Sequence, residues 1–367
     1  MRNNQPLQFT LLINFQDRRV RRRYEKDDSL LLREIDAENH IHTILIDEIQ
    51  KVPRLFDDLH YIFDQHRNKY QIWVTGSSAR QLKRKSSNLL PGRVHHIKLS
   101  PVLIAEQRDA FFLPLNMPEK NKFPVRNLKD YLLYGNLPGL YAEEKSSWIS
   151  TLEAYAELYI ENEVRQENIV NDMGAFLRFL KLAALESGKL TNISKLAKSV
   201  GVAANTIRNF YQILEDTYVG IRILPFGKSK KRITASPRFL IFDIGLRHML
   251  AELAINDTLL KLDAGSLFEQ WIMLELYYRC KLYGNGYSIS TWRTKSGAEV
   301  DVILETPEEI IPIEIKYTEN PTPSEARHIE TFIDLHQDMS KRGYIICRAP
   351  FKQKLTNRVI ALPWSVF

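Results

Sequence analysis

In the N-terminal third of the chain, short apolar runs alternate with stretches whose apolar residues recur at helical spacing. "FTLLINF" (9–15), "HTILIDE" (42–48) and "QIWVTGS" (71–77) each carry a compact apolar run, which predicts buried strands. Between the last two, Leu55, Leu59, Ile62 and Phe63 fall on one helix face. Strand, helix, strand in this order predicts a parallel sheet with crossover connections. "VHHIKLSP" (94–101) is expected as a fourth strand.

The pattern then turns helical from 127 to 186, broken at "YLLYGNLPGLY" (131–141), where Gly135, Pro138 and Gly139 predict a turn. In "LTNISKLAKSVGVAANTIRNFYQILEDTYVGIRILPF" (190–226), apolar residues stand at Ile193, Leu196, Val200, Val202, Ile207, Phe210, Tyr211 and Leu214. That spacing predicts a helix, a turn at Gly201, a second helix and a strand. A third part begins near Asp263 with a long amphipathic helix through Phe268, Met273, Leu274 and Leu276. Strand-like "GYSISTWRT" (286–294), "AEVDVIL" (298–304) and "IIPIEIKYT" (310–318) follow, then a helix at 324–336 and a strand, "GYIIC" (343–347).

Composition changes this picture little. With 367 residues, 44% hydrophobic and 26% charged, the chain has room for two or three globular domains. No apolar run approaches a membrane span, and "MRNNQPLQFT" has no signal-peptide pattern. The two cysteines, Cys280 and Cys347, define neither a disulfide framework nor a zinc site, so a cytoplasmic setting is expected. The net charge of +7 matters mainly through its clustering. "RRVRRR" (18–23), the acid-free stretch 80–98 and "GKSKKR" (227–232) would each attract a polyanion. A solvated face is the plain alternative for any one cluster.

Candidate chemistry starts at "ILIDEIQKVP" (44–53), an apolar run ending in Asp47 and Glu48. In a P-loop ATPase the strand carboxylate holds the Mg²⁺ shell and the adjacent Glu polarises the attacking water. Asp47 and Glu48 suit those two roles. Thr75 and Ser77 in "VTGSSAR" suit a γ-phosphate sensor, and Arg93 in "LLPGRV" suits a charge-stabilising arginine. These motifs, with "YLLYGNLPGLY", occur in one order. Together they resemble a family of prokaryotic AAA-type P-loop ATPases with a C-terminal domain of unknown function and a nuclease-like end. The likeness runs over nearly the whole chain. It implies a Walker B strand, ATP-binding and Mg²⁺.

One part of the pattern departs. G-x-x-x-x-G-K-[ST] should precede the Asp-Glu strand, yet the first glycine is Gly76. "FGKS" (226–229) has Arg222 where the first glycine should stand, and a basic run follows it. The chain therefore reads as a truncated member without Walker A, with "FTLLINF" as the family's second strand. Loop amides and the lysine supply most of the phosphate grip. The expectation is that this polypeptide does not bind ATP with ordinary affinity, and micromolar binding by calorimetry would contradict it.

The helix pair at 190–216 followed by a hairpin at 218–243 reads as a winged helix. Thr206, Arg208 and Asn209 would face outward on the second helix, and Lys228, Lys230, Lys231 and Arg232 would form a basic wing tip. DNA is the partner this implies, with protein contacts as the alternative.

The last constellation is Asp301, then Glu314 and Lys316 on the next strand. Residues two apart on a strand share a face, so Glu314 and Lys316 align while Ile313 and Ile315 enter the core. Glu269 lies upstream on a helix. The set resembles the PD-(D/E)xK nuclease core, in which carboxylates gather Mg²⁺ to activate water and the lysine assists. A hairpin with surface charges is the plain reading. The resemblance makes Asp301 and Glu314 the expected metal ligands, with Asp47 in the same role at the ATPase-like site. Activity is a separate matter, to be settled at the site.

The whole predicts an α/β multidomain chain. A partial P-loop NTPase sheet spans 1–115, a helical lid or linker 116–185, a winged helix 186–250 and a restriction-endonuclease-like α/β domain 251–367. The function expected is that of a DNA-associated, AAA-family ATPase-like protein with a Mg²⁺-dependent nuclease-like site. The alternative is a non-catalytic DNA- or protein-binding module, or an inactive fragment of a full-length ATPase. No membrane is expected as a partner, while a homo-oligomer or protein partner stays open.

Overall fold

The computed structural model describes residues 10–37, 40–66, 69–76, 95, 97–113, 123–160, 164, 170–227, 236–294 and 296–367. The chain divides into two compact units, 1–98 and 99–367.

The first unit is a parallel sheet of β1 (Thr10–Asn14), β2 (Thr43–Asp47) and β3 (Gln71–Val74), in that order. Leu12, Leu45 and Trp73 stand in register across it. Helix α1 (Arg18–Lys26) is followed by α2 (Leu30–Ala37), and α3 (Leu55–Gln65) makes the crossover after β2. The predicted helix face of α3 is nearly right. Leu55, Phe56, Leu59 and Ile62 are buried with Ile13, Phe15, Ile44 and Ile46. Each such side chain contributes about 1.5–3 kcal/mol by leaving water. Helix α1 carries the first basic cluster, and Tyr24 is its only buried residue. Three of its charges meet local acids: Arg19 with Asp17 at 2.8 Å, Arg21 with Glu25 at 3.7 Å and Arg23 with Glu34 at 2.9 Å.

The fourth strand expected at 94–101 is not seen among its described residues. Ile97 and Leu99 stay in solvent, at 63% and 89% exposure, so the run lacks the burial that would pull it into a sheet. The backbone is instead engaged further on, where the Val102 amide donates to the Asn136 carbonyl at 2.8 Å.

The second unit begins earlier than the expected boundary at 115. Ile104, in α4 (Ile104–Gln107), and Phe112 pack into a core with Tyr131, Trp271 and Phe367. A buried ion pair holds them there. Arg279 meets Glu275 at 2.6 Å and donates to the carbonyls of Phe112 at 2.8 Å and Phe367 at 3.1 Å. Helices α5 (Leu128–Tyr134), α6 (Trp148–Leu158) and α7 (Met173–Leu185) form the helical part. Helix α5 stops at Gly135 (φ +69°), where any Cβ would strike the Asp243 carboxylate.

Helices α8 (Ile193–Val200) and α9 (Ala204–Asp216) form the predicted helix pair. Asn192 caps α8, its side chain accepting from the Lys195 amide at 2.9 Å. Gly201 ends α8 in the left-handed region. Leu196, Val200, Ile207, Phe210, Tyr211 and Leu214 bury against Phe176 and Phe179 of α7, so the apolar spacing reads through directly. An antiparallel pair, β4 (Gly220–Ile223) and β5 (Arg238–Ile241), follows, then α10 (Ile244–Leu250).

Helix α11 (Asp257–Tyr283) is 27 residues long, about 40 Å at 1.5 Å per residue. It is not amphipathic in the expected sense. Every residue from Gln270 to Leu276 is buried, which covers all sides of the helix. The reason is its position as a central element. One side packs on the sheet through Ile313, Ile315 and Ile346, and Tyr131 of α5 stacks on Trp271.

The sheet runs β10 (Gln353–Lys354), β11 (Val359–Pro363), β9 (Gly343–Cys347), β8 (Ile310–Ile315), β7 (Glu299–Glu305), β6 (Ser288–Arg293). β6, β7 and β8 are antiparallel, and β8, β9 and β11 are parallel. Helix α12 (Arg327–Leu335) covers the other face through Ile329, Phe332 and Ile333. The chain after β4 joins the sheet edge. The Thr291 amide donates to the Leu224 carbonyl at 3.1 Å, and the Phe226 amide to the Thr291 carbonyl at 2.6 Å. No helix among the described residues is long and apolar enough to cross a membrane.

Candidate functional site

In the first unit, Asp47 ends the middle strand. Its carboxylate accepts from the Thr75 hydroxyl, and the Thr75 amide donates to the Ile46 carbonyl at 2.8 Å. The expected acid–sensor pair is thus in contact. Glu48 follows in the left-handed region (φ 60°) and is buried. Gln50 donates to its carboxylate at 2.9 Å and Lys51 lies at 3.5 Å, so Glu48 is held by side chains of the turn that follows it. Ser77 and Arg93 lie outside the described residues.

In the second unit, the three antiparallel strands bring the predicted C-terminal set together. The β7–β8 register pairs Val302 with Ile313, which sets Asp301 opposite Glu314. Between the pairs Ser290–Ile303 and Trp292–Val300, β7 carries an extra residue at Asp301–Val302. Such a bulge re-aims a side chain. Asp301 Oδ2 accepts from the Ile315 amide at 2.9 Å and lies 3.9 Å from Lys316 Nζ. Lys316 Nζ donates to Glu314 Oε2 at 2.8 Å.

Two residues of this cluster were not anticipated from the sequence. Arg238, the first residue of β5, points into it and is buried. Its Nη1 donates to Glu269 of α11, and its Nη2 donates to Glu299 at 2.7 Å and lies 3.7 Å from Asp301 Oδ1. Glu299, two before Asp301 on β7, is the second. Arg293 reaches Glu299 from the rim at 3.7 Å. The available signals were a lone charge opening the otherwise apolar "RFLIF" and an acid two before Asp301.

Four carboxylates therefore surround two cations. Burial lowers the Arg238 pKa, but Glu269, Asp301 and Glu299 outweigh it and hold the guanidinium charged. Burial likewise works against the Lys316 ammonium, and Asp301 and Glu314 more than offset that. Burial, and after it the neighbouring Asp301, pushes the Glu314 carboxyl up despite Lys316. The same two causes raise Glu269, against the pull of Arg238.

The Mg²⁺ that the nuclease resemblance implies can be tested against this geometry. Mg²⁺ demands near-octahedral oxygens at about 2.0–2.1 Å. Here both Asp301 oxygens already face cations, Glu269 and Glu299 hold Arg238, and Glu314 holds Lys316. Among the described residues, no group of three or more His, Cys, Asp or Glu is arranged to hold a metal. In this arrangement the carboxylates do not fit the ion.

An open cleft of about 470 Å³ leads to the cluster. Lys189, Asn192 and Lys195 line one part, at the start of α8, while Arg238, Glu269 and Glu299 line another. Arg208 and Asn209 of α9 are exposed, as expected for outward positions. Lys228, Lys230, Lys231 and Arg232 lie outside the described residues.

Comparison with known proteins divides the chain into three matched stretches. Residues 2–107 match an AAA domain, 125–257 a domain of unknown function (DUF8612) and 264–367 another (DUF4143). An uncharacterized protein of Mycobacterium tuberculosis, Rv2008c, is 26% identical over 87% of this chain and 68% of its own length. MJ1637, an uncharacterized protein of Methanocaldococcus jannaschii, is 24% identical over 94% of this chain and 71% of its own. A crystal structure of protein VC1899 from Vibrio cholerae aligns over 89% of this chain and 88% of that one, at 12% identity. Its TM-score of 0.21 is too low to carry any inference. The AAA match at one end and the DUF4143 match at the other support an AAA-type ATPase family and an ATPase-like function.

Proposed function

We propose that this chain is an ATPase-like, DNA-associated protein whose second unit docks nucleic acid on a winged-helix element and does not cut it in the state described. The carrying observation is the cleft joining the start of α8 to a carboxylate cluster with a buried arginine at its mouth. Three features support the winged-helix reading: a helix pair whose first member is capped by Asn192, a second helix with Arg208 and Asn209 exposed, and an antiparallel hairpin after it. A central helix, three antiparallel strands, a covering helix and a parallel strand support the nuclease-like reading. The Asp47–Thr75 contact on a parallel sheet supports an ATPase-like first unit.

Fluorescence anisotropy with labelled duplex DNA over a salt series tests the docking. The expected result is binding that weakens steeply with salt and is reduced by Arg208→Ala. Binding indifferent to salt and to Arg208 would sink the reading. The convergence of Glu269, Asp301, Glu314 and Lys316 favours a second reading, a nuclease that acts once Arg238 withdraws.

A further inference from the structure

The charge on Arg238 needs an explanation that packing does not give. It opens a strand whose other residues, Phe239, Leu240 and Ile241, are all buried and apolar. An aliphatic residue there would avoid the heavy desolvation of a side chain left only 8% exposed. The acids pose the converse problem. Glu269, Glu299 and Asp301 come from a helix and a strand and converge on one point, where like charges repel unless a cation stands between them. The guanidinium answers both, presenting a planar fork of donors to several carboxylates at once.

A divalent ion would also balance the charge of the acids, but not together with Arg238. It would need the carboxylate oxygens the guanidinium faces, and two cations would then share one pocket. The arginine is also anchored from behind. Nη1 lies 3.5 Å from the Gly188 carbonyl, and Arg238 bridges Leu190 in the segment leading to α8. The residue that fills the acidic pocket thus belongs to the hairpin and helix-pair element, not to the strands that carry the acids.

We propose that Arg238 is a resident counter-ion standing in the place of a divalent cation. The cluster stays metal-free while the β4–β5 hairpin is seated, and loss of Arg238 turns it into a divalent-cation site. This concerns only the charge balance of the cluster and holds whether or not DNA docks on α8 and α9.

The test is calorimetric titration of the full chain with Mn²⁺ alone, comparing wild type, Arg238→Met and Arg238→Met with Asp301→Asn. The double variant separates this cluster from binding elsewhere, including Asp47. Arg238→Met is expected to bind Mn²⁺ at least about tenfold more tightly than wild type, a difference of 1.4 kcal/mol. Asp301→Asn is expected to abolish the gain, and Mn²⁺ is expected to raise the melting temperature of Arg238→Met but not of wild type. Two results would overturn the proposal: Asp301-dependent Mn²⁺ binding by wild type as tight as by the variant, or no Mn²⁺ binding by folded Arg238→Met. Should Arg238→Met not fold, Arg238→Met with Glu299→Gln, which removes one acid along with the base, is judged by the same criteria.

Discussion

Asp47 and Glu48 close a strand in the first unit, while Asp301 and Glu314 face each other across two strands of the second. The first pair is served by neighbours in sequence or on the adjacent strand: Gln50, Lys51 and Thr75. The second is served by Lys316, two residues past Glu314, and by Arg238 from a distant hairpin, which reaches Asp301 together with Glu299 and Glu269 of the central helix. Both are acidic pairs on a sheet, yet only the second ties three elements together. What such a pair does depends less on its own residues than on which cation stands opposite and where that cation is anchored.

The sharpest way to break this contrast is to remove the cations. Arg238→Met leaves partly buried acids uncompensated and is expected to cost about 3–5 kcal/mol in urea unfolding of the second unit. Lys51→Met, beside Glu48, is expected to cost less than about 1 kcal/mol. Equal costs would erase the distinction. Removing the acids sharpens it further. Asp301→Ala strips the Ile315 amide of its acceptor and is expected to cost about 1–3 kcal/mol, against about 1 kcal/mol for Asp47→Ala, which frees only the Thr75 hydroxyl.

The pH dependence gives a smaller effect with a defined sign. Glu314 holds its proton to higher pH in the folded chain than in the unfolded one, because burial and Asp301 disfavour its charge. The native state then binds more protons, so stability falls as pH rises above the ordinary carboxylate range until the folded carboxyl has ionised. Denaturation midpoints of Glu314→Gln across that range are expected to show a flatter profile than wild type.

The smallest effect concerns DNA. Arg208→Ala on α9 is expected to reduce the salt slope of binding by about one. Arg21→Ala on α1, whose guanidinium lies 3.7 Å from Glu25, is expected to leave the slope unchanged in the same titration. A larger loss from Arg21 would move the nucleic-acid surface to the first unit.

Much of this architecture was legible because periodicity reports burial. The α8–α9 apolar set and the strands through Asp47, Asp301 and Glu314 follow directly from spacing, since two adjacent strands fix which residues meet. The failures share one cause, which is tertiary context. Residues 97–100 look like a strand but leave Ile97 and Leu99 in solvent. Helix α11 looks amphipathic from Phe268, Met273, Leu274 and Leu276, yet its polar Gln270, Glu275 and Arg279 are no solvent face. All three are buried, with Gln270 donating to the Ile241 carbonyl at 3.4 Å and Glu275 paired with Arg279. Arg238 escaped notice because its partners stand on a distant helix and strand, and Glu299 because an acid two before Asp301 does not by itself show that it shares a cation with it.

The most direct test is to incubate supercoiled plasmid with purified wild-type chain in Mg²⁺ or Mn²⁺, beside Lys316→Ala. The expected result is plasmid retarded on the gel at low salt and released at high salt, with its supercoils intact. Nicking by the wild type that disappears in Lys316→Ala would contradict a site held closed by Arg238.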